Sequence, residues 1–202
     1  MDPFTTAQAL ETARHYLDKV VDAPLKEFGE LLADQIRFWR LKNQIKMILK
    51  SRELLEKKGI DPRKARPDTV FPLIEAAGDI EDETLSDMFA GLLASSLNPD
   101  TYDTVHPSYA KVLSQLAPLD ATIMSGLYDS LNIHRQSYSE AGMTLQLVAE
   151  KLGIPEAIVL LSFQNLWRLG ICSHGAGLDL LNQAKQIFFA EYGWALMKAC
   201  IP

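Results

Sequence analysis

Apolar residues recur three and four positions apart along most of this chain, which is the periodicity of an α-helix rather than a strand. Proline and glycine cut the pattern into segments. The first amphipathic segment spans residues 6–22. Pro24 interrupts it and suits the first turn of a second helix, predicted over residues 24–58 and stopped by Gly59. Leu25, Phe28, Leu32, Ile36 and Trp39 make one apolar stripe on that helix, and Leu41, Ile45, Ile48 and Leu55 continue it with a shift in phase. At ~1.5 Å per residue it would reach roughly 50 Å. That length in a small domain implies a bend or a surface shared with a partner.

Shorter helices follow. Residues 60–67 hold two prolines and three basic residues and read as a loop. A helix over 68–77 ends at Gly78-Asp79. The next is capped by Asp79 or Asp82, with Glu81, Asp82 and Glu83 at its positive end. It turns Leu85, Met88, Phe89, Leu92 and Leu93 inward and stops at Asn98-Pro99-Asp100. His106-Pro107-Ser108 opens a short helix, and Pro118 opens another.

The last third changes character. Residues 144–152 form a helix closed by Gly153, and residues 155–169 form one closed by Gly170. Ile171-Cys172-Ser173 reads as a short strand before a polar, glycine-rich turn over 174–177. Helix, glycine turn, helix, strand and wing is a winged helix-turn-helix order. Three more bundle helices are the alternative, and residues 178–189 read as helix where a wing would need a strand. The expected fold class is all-α: a helical bundle with a long second helix over residues 1–130, then a winged-helix-like C-terminal module over 131–202.

Net charge is −6, but the charges are segregated. Residues 37–66 carry eleven Lys or Arg and three acids, 11 − 3 = +8. Residues 67–134 carry one Lys and eleven acids, 1 − 11 = −10. Three readings compete. The blocks pair with each other, within one chain or across a subunit contact. Alternatively the basic block meets nucleic acid or anionic lipid, or the blocks complement a different protein. The candidate interaction surface is Arg37, Phe38, Trp39, Arg40, Lys42, Lys46, Lys50, Arg63, Lys64 and Arg66. The candidate acidic cluster is Glu75, Glu81, Asp82 and Glu83. A homo-oligomer is expected, with Phe38 and Trp39 as its apolar anchor.

No assembled active site is legible. The four histidines fall in no metal spacing, and Cys172-x-His174 has no second pair to complete a zinc site. Neither a nucleophile elbow nor a P-loop occurs. Acids at a helix N-terminus account for the 81–83 cluster by electrostatics. A metal nuclease using Glu75, Glu81 and Asp82 is the remaining enzymatic reading. No catalytic residue, metal or cofactor is assigned. Cys172 and Cys200 read as buried thiols in a reducing compartment. Residues 1–22 place Glu11, Arg14, Asp18 and Lys19 among the apolar positions, so no signal-peptide core is expected. No run reaches the roughly 18 apolar residues of a membrane span. A cytoplasmic location is expected.

Several strings carry a family resemblance when taken in order. They are Phe28-Gly29-Glu30-Leu31-Leu32, Arg40-Leu41-Lys42-Asn43, Lys57-Lys58-Gly59-Ile60 and Pro72-Leu73-Ile74-Glu75-Ala76-Ala77. Ile80-Glu81-Asp82, Leu92-Leu93-Ala94-Ser95, His106-Pro107-Ser108-Tyr109 and the run from Leu113 through Asp120 follow, and Tyr192 through Cys200 closes the set. Over roughly residues 20–200 the chain resembles the Abi-alpha family, the abortive-infection alpha proteins of bacteria. The resemblance implies a role in phage resistance. With no active-site constellation in the sequence, the expected mode of action is binding a protein partner rather than chemistry. It carries no catalytic residues. A DNA-binding regulator using the winged helix is the alternative. Its second helix opens with Glu156 and has Arg168 as its lone base, which suits a protein contact better than phosphate.

Overall fold

The computed structural model describes residues 3–20, 35–134, 142–174 and 186–201. It is mostly helical, with one small three-stranded sheet. The chain divides into two compact units. One runs through Ser114 and takes in the chain again from Ala199; the other spans Gln115–Lys198.

The first unit holds α1 (Pro3–Val20), α2 (Gln35–Lys57), α3 (Pro67–Ala77), α4 (Glu83–Leu97), a 3-10 turn (Tyr102–Thr104) and α5 (Ser108–Leu113). The described part of α2 covers 23 residues, roughly 35 Å at 1.5 Å per residue. The Leu25, Phe28 and Leu32 stripe expected before it lies outside the described residues. The continuing stripe does face inward: Leu41, Ile45, Ile48 and Leu55 are buried, and Met47 with them.

Helix α4 is the centre of this unit. Leu85, Ser86 and every residue from Met88 to Leu97 are buried. The Asp82 carboxylate caps its start by accepting from Leu85 N at 3.0 Å, as acids at this end of a helix do. α2 and α3 cover α4, and the chain's end presses on it at Gly91.

The second unit holds α6 (Pro118–His134), β1 (Gly142–Thr144), α7 (Leu145–Leu152), α8 (Glu156–Arg168), β2 (Cys172–His174), β3 (Gln186–Phe189) and α9 (Glu191–Ala199). At the start of α6, Asp120 Oδ2 accepts from Ala117 N at 2.8 Å, the reciprocal half of a capping box. Thr144 caps α7 by accepting from Leu147 N at 3.2 Å. The predicted helix stops hold: Gly59, Gly153 and Gly170 all take positive φ, between 65° and 69°. Val159, Phe163 and Leu166 of α8 are fully buried.

Two features differ from the sequence reading. Residues 186–189 are strand, not helix. β3 lies between β1 and β2 and pairs antiparallel with both, Met143 and His174 each opposite Ile187. The alternation is there, with Ile187 and Phe189 buried and Gln186 exposed, but four residues are too few to separate a period of 2 from 3.6. Residues 178–185 of that predicted helix lie outside the described residues. Strand β1 was not foreseen, because three residues with one buried side chain carry almost no pattern.

Gly91 gives a direct test of the first unit's packing. Alanine normally gains about 1 kcal/mol over glycine inside a helix. Here a methyl on Gly91 would lie 1.8 Å from the Cys200 carbonyl oxygen and 2.6 Å from its carbon. Backbone cannot yield as a flexible side chain does. Gly91→Ala should therefore destabilise the protein by about 1–3 kcal/mol in chemical denaturation. A gain in stability would show that the chain end does not pack on α4.

Candidate functional site

The basic and acidic sets meet within one chain. Trp39, Asn43, Lys46 and Lys50 stand at intervals of four, three and four on α2, so they share one face. Opposite them run the α3–α4 turn and the start of α4. Trp39 Nε1 donates to Glu81 Oε1 at 2.8 Å. Asn43 Nδ2 donates to the buried Gly78 carbonyl at 3.1 Å. Lys46 and Lys50 both bond Glu83, Lys50 at 2.8 Å, and Lys50 also reaches Asp87. Beside this line Arg40 pairs with Asp79 at 3.1 Å and donates to the Glu75 carbonyl at 3.4 Å.

Two members of this seam, Glu83 and Lys50, have shifted pKa values. The two ammonium groups on Glu83 hold its carboxyl well below the usual carboxylate range, at about 2. For Lys50, burial opposes the charge, but hydrogen bonds to Asp87 and Glu83 outweigh it and raise its pKa.

The other predicted surface residues are placed differently. Phe38 is 41% exposed on α2, and Lys42 is exposed. Arg63 stacks over the Tyr102 ring at 3.5 Å, an attraction between a cation and a π face. Arg66 bonds Asp68 in the first turn of α3, and Lys64 is exposed. The Arg37 side chain lies outside the described residues. Of the acids, Glu81 is held by Trp39, Asp82 caps α4 and Glu83 takes two lysines, while Glu75 is exposed. Among the described residues no group of three His, Cys, Asp or Glu is placed to hold a metal. Cys172 and Cys200 are free and buried, and burial pushes both thiols up to about 12, far from reactive thiolate.

The second unit presents a different surface. Helix α8 buries one face and turns the other outward. On the outer face Ile158 is 47% and Leu161 63% exposed, with Gln164 and Arg168 continuing it at the next turns. Asn165 pins the helix, donating to Asp120 Oδ2 at 2.7 Å and to the Gln115 carbonyl at 3.1 Å. Arg168 is drawn into the same network, bonding Asn165 Oδ1 at 2.8 and 3.2 Å and reaching Gln115 Oε1 at 3.5 Å. Periodicity identified the buried face of α8. That the opposite face would stay open could not be read from it.

A family model described as abortive infection alpha matches residues 42–200. The chain belongs to the abortive infection alpha family. No curated protein and no solved structure matches the chain. Membership ties this Abi-alpha protein to abortive infection, a form of phage defence, at the level of the family. The matched span takes in Lys46, Lys50 and the acids opposite them, and the whole of the second unit. No helix among the described residues is long and apolar enough to cross a membrane.

The seam predicts an acid response. The folded Glu83 pKa of about 2 lies below its unfolded value, ordinarily ~4.3. A depressed carboxylate stabilises the fold fully above the unfolded value, and that stabilisation is lost as pH falls towards the folded one. Between about pH 5 and 2, the wild type should lose more stability than Glu83→Gln, measured by denaturant unfolding across pH. Salt at about 0.5 M should shrink the difference, because the groups are exposed and screened. Superimposable pH profiles for the two proteins would show that the seam carries no charge coupling.

Proposed function

We propose that this Abi-alpha protein serves phage defence as an interaction protein, binding a protein partner through the outer face of α8. The observation that carries the reading is the chemistry of that face. Ile158 and Leu161 are exposed a turn apart, on a helix anchored from behind by Asn165. Burying exposed aliphatic side chains favours association by about 25 cal/mol per Å² of apolar area. The partner presents an apolar protein surface.

A second reading has its own support. The order strand, helix, helix, strand, strand, with β3 between β1 and β2, supports the winged-helix reading, in which α8 would be the recognition helix. Phosphate contacts carry most DNA affinity and require free cations. Here Arg168 is engaged by Asn165, and α8 opens with Glu156. The module therefore fits protein recognition better than duplex DNA.

The deciding experiment is phage plating on cells expressing the protein. Leu161→Asp should return plating to the level of cells without it. Its unfolding free energy should stay within about 0.5 kcal/mol of wild type, as for other surface substitutions. Full defence by Leu161→Asp would contradict the proposal. In parallel, fluorescence anisotropy with duplex DNA should show no binding that weakens steeply with salt. A steep salt dependence abolished by Arg168→Ala would favour the DNA reading instead.

A further inference from the structure

A cleft of about 570 Å³ opens between α1, the C-terminal half of α2 and residues 60–62. That size is within the range of small-molecule sites. Among the described residues, its wall holds one buried side-chain polar atom without a hydrogen-bond partner. Tyr16 is only 8% exposed, and its hydroxyl is buried with no hydrogen bond. Such a group costs free energy until something bonds it.

The rest of the wall constrains what could do so. Burial, with Arg52 opposing and Glu56 adding, pushes the Tyr16 phenol up to about 12, so it is an O–H donor at neutral pH. Arg52 Nε already bonds Glu56 Oε1 at 2.7 Å, and Lys19 pairs with Asp61 at 3.7 Å. Thr12 donates to its own helix at the Gln8 carbonyl. The lining therefore has Glu11, Glu56 and Asp61 against Lys19 and Arg52, 2 − 3 = −1, which disfavours an anion. A carboxylate has about four lone-pair sites, and Arg52 Nε takes one of those on Glu56. The wall thus holds a donor at Tyr16 and acceptors at Glu56.

We propose that this cleft binds a small uncharged molecule with an amide-type edge, its carbonyl accepting from the Tyr16 hydroxyl and its adjacent N–H donating to the Glu56 carboxylate. A nucleobase such as uracil carries that edge; a trans peptide amide directs its carbonyl and its N–H to opposite sides and does not. The site lies on the first unit and is independent of the α8 proposal.

Calorimetry on the full chain compares uridine with N-acetylglycine N-methylamide, whose trans amides lack that edge. Saturable binding of uridine alone is the expected result; binding of the blocked amide as tight as that of uridine, or tighter, would contradict the edge. Tyr16→Phe should weaken the binding about fivefold, the worth of one neutral hydrogen bond. In the absence of ligand, the same substitution should leave the melting temperature unchanged or raise it, since it removes an unpaired buried hydroxyl. The proposal is overturned if neither probe binds at millimolar concentration, or if Tyr16→Phe binds as tightly as wild type. A melting temperature lowered by several degrees in unliganded Tyr16→Phe would also overturn it, by showing the hydroxyl already bonded within the protein.

Discussion

The burial of α4 is the constraint on which the first unit depends. A helix whose residues from Met88 to Leu97 are all buried cannot be amphipathic in the usual way, and it must be enclosed from every side. Small residues make that enclosure feasible. Gly91 admits the chain end at Cys200, while Ala90, Ala94, Ser95 and Ser96 keep neighbouring backbones close. Ser96 returns its hydroxyl to the Leu93 carbonyl at 2.7 Å, so part of the polar content of this core is satisfied locally. The only exposed positions on α4 are near its first turns, at Glu83 and Asp87, and these are the ones that meet the lysines of α2.

The charge segregation follows from that arrangement. A strongly basic helix lies against the acidic start of its neighbour, so Arg40, Lys46 and Lys50 of the +8 block are paired with Asp79, Glu83 and Asp87 of the −10 block inside the unit. Exposed ion pairs contribute little each. Their value here is directional: Trp39 on Glu81 and Asn43 on the Gly78 carbonyl fix the register of α2 against the α3–α4 turn, and the lysine pairs extend that register by two turns. The long-range attraction that first suggested a nucleic-acid face is thereby reduced. The two proposed recognition surfaces, the apolar face of α8 and the polar cleft beside Tyr16, are of other character.

Much of this fold was legible from local chemistry. Asp82 as a cap, Gly59, Gly153 and Gly170 as stops, and the inward stripes of α4 and α8 follow from rules that act within one or two helical turns. The misses are of two kinds. β1 and β3 are too short for a period to show, and their pairing is set by residues more than forty positions apart. The other kind concerns partners. The sequence identifies a basic set and an acidic set, but only tertiary packing decides that Glu83 takes both Lys46 and Lys50 while Glu81 takes the Trp39 indole. Trp39, read as an apolar anchor for a second copy, also donates its indole N–H within its own unit. The isolation of the Tyr16 hydroxyl depends in the same way on α1 meeting α2, and no local pattern announces it.

Burial on every side makes α4 the last element of the first unit to open. Native-state hydrogen exchange on the intact protein tests that most directly. Amides between Met88 and Leu97 should exchange only through global unfolding of the unit, with the highest opening free energy in it and the full denaturant dependence of that transition. Exchange from α4 at the rate of α1, or through small local openings insensitive to denaturant, would contradict a fold organised around this helix.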